Sequence, residues 1–393
     1  MTSFDAELRQ RLDALCEQNL FRELRRVDSA QGPRIEIGGK TFLNFSSNDY
    51  LGLANHPALK EAAIKAVEKF GAGSGASRLI CGSLAPFHEL EESLAAFKRT
   101  DAALAFSTGY AAALGTITPM ASKDDIIILD KLVHASIVDA ARLSGAKLRV
   151  FDHNDLNDLE EKLKWANGRP KSQNPVANTL IVTESIFSMD GDSAPLREIV
   201  ALKEKYGAWL MVDEAHATGI LGTGGRGLAD ELGLSERIEI QMGTLGKALG
   251  ASGGYICGSR KLIDLLINRA RSFIFSTAPV PAAAAAAIAG IHVSQSSEGE
   301  ELRNHLRRWI ADVQSEIGNQ KSKTSSAIIP LILGNEAKTL SAAARLREHN
   351  IFVPAIRYPT VARGAARLRI TLTAAHTREH VSELTAALKT LDV

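Results

Sequence analysis

Trp209-Leu210-Met211-Val212-Asp213-Glu214-Ala215-His216 is the stretch whose reading decides the fold: four apolar residues run straight into two carboxylates and then an imidazole. So short an apolar run is the length of a buried strand rather than of a helix. An ionised Asp213 at its buried end must find a cation or turn amides, or bear a desolvation cost of several kcal/mol. Outward in both directions the pattern repeats. Ala102 to Phe106, Asp125 to Leu129, Lys147 to Phe151, Thr179 to Thr183 and Ile238 to Met242 are further strand candidates, with helical stretches such as Ala135 to Leu143 and Leu196 to Lys205 between them. That alternation predicts an α/β fold with a mostly parallel sheet and flanking helices, whose ligands gather at the carboxyl ends of the strands.

Polar groups cluster at those ends. They are Ser107-Thr108-Gly109-Tyr110, Asp130 with His134, Glu184 with Ser185 and Ser188, Asp213 with His216, and Thr244 with Lys247. Lys247 sits in Gly243-Thr244-Leu245-Gly246-Lys247-Ala248-Leu249-Gly250, where flanking glycines allow tight turns that would hold one amine inside a cavity. A protonated pyridine nitrogen would meet the need of Asp213 for a cation. Lys247, Asp213 and the Ser107 to Tyr110 loop together supply the three parts of a pyridoxal phosphate site: a lysine for the aldehyde, an acid for the ring nitrogen, and a loop with a helix amino terminus for the phosphate. Taken singly, Asp213 could pair with an arginine or cap its turn, and His134 and His216 could be ordinary core or surface histidines.

Bulk properties narrow the class. A chain of 393 residues with 45% hydrophobic and 23% charged residues predicts a large domain with a smaller one, and a net charge of +1 indicates no nucleic-acid or membrane partner. Cys16, Cys81 and Cys257 have neither disulfide nor zinc spacing, so no metal is expected and a reducing cytoplasm fits. The first residues lack the apolar centre of a secretory signal, and Leu8, Leu12 and Leu15 mark a helix stripe instead. The alanine-rich run Pro279 to Ile291 is too short to span a bilayer and predicts a tightly packed buried helix.

The remaining elements follow from period and turn signals. Arg34 to Ile37 and Lys40 to Leu43, split by Gly38-Gly39, predict a hairpin, and Leu59 to Phe70 a helix. The loop Gly71-Ala72-Gly73-Ser74-Gly75-Ala76-Ser77 follows a helix, which argues against a dinucleotide fingerprint, since that motif follows a strand. Trp165 to Asn178 is a surface connection, and Lys261 to Ser272 one helix. Toward the carboxyl end come a charged helix, Glu298 to Gly318, strands at Ala327 to Leu333, Ile351 to Ile356 and Arg367 to Leu372, and amphipathic helices at Ala337 to His349 and Thr377 to Leu388. The expected organisation is an amino-terminal helix and hairpin segment (1–50), a large cofactor-binding domain (51–284) and a small α+β domain (285–393).

Several stretches together carry a family resemblance. Asn44-Phe45-Ser46-Ser47-Asn48-Asp49-Tyr50-Leu51-Gly52-Leu53, Gly73-Ser74-Gly75-Ala76-Ser77-Arg78, His88-Glu89-Leu90-Glu91, Val182 to Asp192, Val212 to His216 and Thr244-Leu245-Gly246-Lys247 make the chain resemble the α-oxoamine synthases from about Leu12 onward. These are fold-type-I pyridoxal phosphate enzymes that condense an amino acid with an acyl thioester and release carbon dioxide. The resemblance implies that Lys247 carries the cofactor and acts as general base, that Asp213 partners the pyridine nitrogen, that His216 bonds the phenolic oxygen, and that His134 stacks on the ring. Gly109, Tyr110, Ser188 and Thr244 fall on cofactor-contacting positions. The family is dimeric with shared sites, so the resemblance places Ser276-Thr277 at the partner's phosphate.

Substrate choice rests on the segment from Pro354 to Val361 and on Arg367 to His376, which are most similar to the biotin-pathway branch joining L-alanine to a pimeloyl thioester of coenzyme A (acyl-CoA) or acyl carrier protein (acyl-ACP). The glycine acetyltransferase and aminolevulinate synthase branches share the Arg-x-Arg strand and remain the alternative. By this resemblance Arg369 holds the amino acid carboxylate, while Arg22 and Thr360 meet the acyl substrate, with His134 also facing it. Tyr358 departs from the branch pattern, where a second proline is common. Three other functions compete: transamination, a nicotinamide dehydrogenase built on Gly71 to Gly75, and a non-catalytic partner subunit, which would be expected to lack Lys247.

Overall fold

The computed structural model describes residues 3–168, 178–317 and 326–391. The connection expected over Trp165 to Asn178 falls largely on residues 169–177, outside the described ones. The chain divides into two compact units: the larger comprises Asp49–Ser188 and Asp192–Asn304, the smaller the described residues up to Asn48, Met189–Gly191 and those from His305 on.

The smaller unit opens with the helix Ser3–Glu17, none of whose residues is buried. The hairpin follows, β1 (Arg34–Ile37) antiparallel to β2 (Lys40–Asn44), and its Gly38 and Gly39 both take positive φ, which the two-residue turn requires.

In the larger unit seven strands form one sheet: β3 (Ala102–Phe106), β4 (Ile126–Asp130), β5 (Lys147–Phe151), β6 (Thr179–Glu184), β7 (Trp209–Asp213), β8 (Ile240–Thr244) and β9 (Gly254–Gly258), in the order β3-β9-β8-β7-β6-β4-β5. Neighbouring pairs are parallel except those made by β9, which is antiparallel to both β8 and β3. The six strands expected from apolar runs are present; β9 is not among those expected. Its sequence, Gly-Tyr-Ile-Cys-Gly, has only three side chains between glycines. The glycines have a packing reason: a Cβ on Gly254 would lie 2.6 Å from the Thr108 carbonyl oxygen, and one on Gly258 would lie 2.7 Å from that of Glu239.

Alternation along the strands feeds two cores. Leu104 and Phe106 join Ile127, Leu129, Val182, Met211, Met242 and Ile256 under the helices Gly109–Met120 and Ala135–Ser144. Ala103, Ala105, Tyr255 and Cys257 face the other way, against Phe87, Leu90, Leu94 and Phe97 of the helix Ala85–Lys98. Each fully buried Leu or Phe contributes roughly 1.5–3 kcal/mol relative to exposure, so covering both faces is what makes the strand ends, rather than a face, available to a ligand.

The alanine-rich run is the helix Pro281–Gln295, and its Ala284, Ala287 and Ile291 belong to this second core. Small side chains are needed there, since a Cβ on Gly290 would lie 2.2 Å from the Leu249 carbonyl oxygen. That packing carries the larger unit past the expected limit at 284. The hairpin segment, expected to stand apart, groups with the carboxyl-terminal residues because β2 pairs in parallel with β11 (Ile351–Phe352), after β10 (Ile328–Gly334).

The strand expected over Ile351 to Ile356 is two short ones. Val353-Pro354 interrupts it, and β12 (Ala355–Ile356) pairs instead with β13 (Ala366–Thr371). β10 also pairs with β13 and carries Pro330 on an edge, the place in a sheet where a residue without an N–H is tolerated. The helix expected over Lys261 to Ser272 is broken at Ala270 into Arg260–Arg269 and Arg271–Ile274. Among the described residues, no helix is long and apolar enough to cross a membrane.

Candidate active site

The site in the larger unit is built at the carboxyl ends of β3, β4, β6, β7 and β8. β3 leads through Ser107 and Thr108 into the helix Gly109–Met120, with the Thr108 side chain accepting the amide of Ala111 at 3.0 Å as amino-terminal cap. The first amides of a helix have no intrahelical acceptor and carry partial positive charge, so Gly109 and Tyr110 present donors suited to an anion. Gly109 also abuts the end of β8: a Cβ there would come within 2.7 Å of Thr244 Cγ2. The Tyr110 hydroxyl donates to Asp139 Oδ2 at 2.7 Å.

Lys247 follows β8 and donates from Nζ to Thr244 Oγ1 at 3.1 Å. Asp213, one strand over, is 6% exposed. Its Oδ1 accepts the amide of Ala215 at 2.9 Å, and among the described residues no cation forms an ion pair with it. Burial pushes its carboxyl above the usual range, against the charges of Lys247 and His134 and the Ala215 hydrogen bond, which lower it. The adjacent Glu214 has the opposite fate: fully buried, it is ion-paired to Lys98 and accepts the amide of Ala229 at 2.9 Å.

Glu184 ends β6 directly opposite Asp213 in register. Burial, then the charge of Asp213, raises its carboxyl well above the ordinary range, while hydrogen bonds from the backbone of His134 and Ser188 oppose the shift. Its Oε1 is buried and has no hydrogen-bond partner among the described residues. Glu184 thus ties together the two loops that carry His134 and Ser188.

His134 caps the helix Ala135–Ser144, its Nδ1 accepting the amide of Ser136 at 3.2 Å. That bond assigns the proton of the neutral ring to Nε2. Desolvation lowers the imidazole's pKa and Lys247 lowers it further, while Asp213 and Asp139 raise it. His216 is buried, with Nδ1 2.5 Å from the Tyr50 hydroxyl. If the hydroxyl donates, as a phenol near neutral pH does, Nε2 of His216 is likewise an N–H donor. Beneath the His134 loop, His153 lies between two acids, Asp130 Oδ1 at 2.9 Å and Asp192 Oδ2 at 2.8 Å. Burial alone would lower its pKa, but the two carboxylates hold it up at about 10.

Of the residues singled out in sequence, the structure brings Lys247, Asp213, His134, Thr244 and Gly109 into mutual reach, with Ser188 joined through Glu184 and His216 through the turn after β7. The glycine-rich loop after the helix Pro57–Phe70 makes no dinucleotide fingerprint. Ser77 instead bridges Thr277, and Ala278 donates its amide to Ala76 at 3.0 Å. Arg22, Thr360 and Arg369 lie in the smaller unit. Arg369 Nη1 donates to Asn48 Oδ1 at 3.1 Å and Thr371 Oγ1 at 3.0 Å, Arg22 Nη2 donates to the Tyr358 carbonyl at 3.1 Å, and Thr360 is exposed. Glu184, Tyr50 and His153 have no assigned role from sequence. Glu184 carries the same signal as Asp213, an acid ending an apolar strand; His153 carries none.

A pyridoxal phosphate ring fits these residues. A buried carboxylate that forms no ion pair among the described residues suits a protonated ring nitrogen, and a glycine at a helix amino terminus suits a phosphate.

Residues 40–388 match the family described as aminotransferase class I and II. The 8-amino-7-oxononanoate synthase of Anaeromyxobacter dehalogenans is 47% identical over 96% of this chain and 93% of its own length. A serine palmitoyltransferase from S. paucimobilis, solved with a ligand joining PLP and myriocin, superposes with a TM-score of 0.90 at 28% identity, covering 98% of this chain and 96% of that one. The 8-amino-7-oxononanoate synthase of Francisella tularensis gives a TM-score of 0.73 at 28% identity, covering 88% of this chain and 98% of that one.

Proposed function

This chain belongs to the aminotransferase class I and II family and, within it, to the α-oxoamine synthases, and from that premise we propose that it joins L-alanine to a pimeloyl thioester, giving 8-amino-7-oxononanoate with loss of carbon dioxide. It is a pyridoxal-phosphate-dependent acyltransferase of biotin biosynthesis. The observation that carries the reading is the pair at adjacent strand ends: buried Asp213, which forms no ion pair among the described residues, and the Lys247 amine whose charge acts on it.

When bound, pyridoxal phosphate supplies an electron sink for the carbanion formed at the amino acid's α-carbon. The protein's residues prepare that chemistry. Lys247 Nζ would hold the cofactor's aldehyde carbon, and its amine is the base that would take the substrate's α-proton. Asp213 would keep the ring nitrogen protonated, His216 would donate to the phenolic oxygen from Nε2, and His134 would pack on the ring and supply its Nε2–H to the substrate's carbonyl oxygen. The amides of Gly109 and Tyr110, with Ser188 and Thr244, would hold the cofactor's polar rim. Arg369 takes the amino acid carboxylate through the paired N–H groups of its guanidinium, and Arg22 and Thr360 take the acyl substrate.

The protein works as a homodimer with shared sites, Ser276 and Thr277 reaching the partner's phosphate, and it acts in the cytoplasm. The exposed loop side chain Phe275 and the wholly unburied helix Ser3–Glu17 support a second copy as their cover. The deciding experiment offers alanine or glycine with a panel of acyl thioesters and measures release of the thiol carrier. Turnover of alanine with pimeloyl donors is expected; activity with acetyl or succinyl donors alone would overturn the assignment, and pyruvate formation without a thioester would make the protein a transaminase.

A further inference from the structure

The smaller unit gathers positive charge that its carboxylates leave largely unneutralised. Arg22, Arg25, Arg347, Arg357 and Arg363 converge where the chain after the first helix meets the loop following β12. Arg357 donates to the carbonyls of Asn19 and, at 3.3 Å, Phe21, and Arg363 Nη2 donates to Gln18 Oε1 at 3.1 Å. The Arg22 bond to the Tyr358 carbonyl closes the same seam, and the guanidinium of Arg363 lies 4.5 Å from the centre of the Tyr358 ring. Arg25 stands 5.9 Å over the Phe352 ring, and its charge acts on both Arg347 and Arg357. Thr360 is tied in as well, its amide donating to the Arg357 carbonyl at 3.0 Å.

Among the described residues none of the five forms an ion pair with a carboxylate. Glu336 acts on Arg357, but desolvation outweighs it and the charges of Arg22 and Arg25 oppose it. Neighbouring Arg26, by contrast, is paired with Asp28 at 2.5 Å. The whole chain carries only +1, so the local excess is not a reflection of composition. Gathering like charges is unfavourable, and here neutral backbone carbonyls fix their geometry without cancelling them. Such an arrangement stores affinity for a multivalent anion, and guanidinium groups on an aromatic platform offer the bidentate geometry that phosphate accepts.

We propose that this arginine cluster is the subsite for the phosphate at the far end of the donor's pantetheine arm, the group that a coenzyme A thioester and an acyl carrier protein thioester share. The proposal rests on the donor reading above, since Arg22 and Thr360, assigned there to the acyl substrate, sit on the same seam. Tyr358 then acts twice, its carbonyl orienting Arg22 and its ring supporting Arg363.

The test compares three donors with alanine: pimeloyl-coenzyme A, pimeloyl-acyl carrier protein, and pimeloyl-N-acetylcysteamine, which ends before the phosphate. The double variant Arg25→Ala with Arg363→Ala is expected to raise KM for the two phosphate-bearing donors by about tenfold relative to the truncated one, with the absorbance of bound cofactor matching the parent protein. Arg25→Lys with Arg363→Lys should recover part of that ratio, and high salt should shrink it in the parent protein. An equal rise for all three donors, or no rise for any, overturns the proposal. A loss confined to coenzyme A points to its nucleotide end and overturns the shared-phosphate assignment. Absence of turnover by the parent protein with every pimeloyl donor removes the donor reading and this inference with it.

Discussion

Replacing Asp213 with Asn should move stability and catalysis in opposite directions. The carboxylate is buried at the end of β7 with one turn amide and, among the described residues, no ion-paired cation. Its raised pKa means that the folded state resists the charge. The contribution of such a group is most favourable below the unfolded carboxyl pKa and is lost as pH rises through the higher folded one. At neutral pH, Asp213→Asn should therefore stabilise the stripped protein by about 1–3 kcal/mol, the scale of an imperfectly satisfied buried polar group. With cofactor bound the sign reverses. The variant leaves a cationic ring nitrogen without its anion, and breaking a buried pair by removing one partner costs roughly 3–5 kcal/mol, or about 10²- to 10⁴-fold in kcat/KM if the protonated ring is needed in the transition state. Thermal unfolding of stripped and loaded protein, beside steady-state rates, measures both limbs. If the stripped variant is instead strongly destabilised, Asp213 is already paired inside the protein and is not held for a ligand.

Lys247→Ala should lower turnover by about 10²- to 10⁴-fold or more and abolish the absorbance of lysine-linked cofactor; a variant retaining both would refute its assigned role. Glu184→Gln keeps a neutral side chain with an oxygen for the amides of His134 and Ser188, so activity should hold within a few-fold, whereas Glu184→Ala should cost about 1–3 kcal/mol in unfolding free energy. Because the folded pKa of Glu184 is raised, parent stability should fall as pH climbs through it, and the Gln variant should show a flatter profile of unfolding midpoint against pH. For His153 the stabilisation by Asp130 and Asp192 is full below its unfolded pKa of about 6.5 and is lost as pH rises toward about 10. Urea unfolding should show the parent losing roughly 1–3 kcal/mol more than His153→Gln across that window, the figure being reduced because the pair is partly solvated. Tyr50→Phe removes the hydroxyl at His216 Nδ1 and should shift the pH dependence of the bound cofactor's absorbance while leaving the protein folded; an unchanged titration would deny Tyr50 a part in fixing that ring.

How much of this was legible in the sequence depends on whether a residue's partner is local. Runs such as Ile126 to Leu129 and Leu210 to Val212 announce buried parallel strands because both faces are covered and no polar side chain is tolerated between the ends. The same logic marks Asp213 and Thr244 by their positions at strand ends, and the turn glycines mark Lys247. β9 escaped because its glycines are set by the close approach of Thr108 and Glu239, residues distant in sequence. The break after Phe352 escaped for a similar reason, since each half of the run answers to a different sheet. His153 follows an edge strand without any periodic signal, and only the fold shows it spanning Asp130 and Asp192. The seam of arginines was likewise hidden, because Gln18 to Arg25 and Arg347 to Arg363 lie at opposite ends of the chain.

Three carboxyl groups meet where β6 and β7 end, and their different treatment explains why the site can hold one cation. Glu214 is neutralised by Lys98 and the Ala229 amide, deep in the core. Glu184 faces Asp213 across the register, and two neighbouring carboxyls cannot both ionise cheaply in a buried setting. Burial and the Asp213 charge favour the protonated form of Glu184, which has two backbone amides on the carboxyl and acts as scaffold. Burial raises Asp213 too, but the charges of both Lys247 and His134 act against that shift, whereas at Glu184 the charge of Asp213 adds to burial. The ends of β7 and β8 therefore set the Asp213 carboxyl beside the Lys247 amine, and a ligand carrying one positive nitrogen and one electrophilic carbon would engage both.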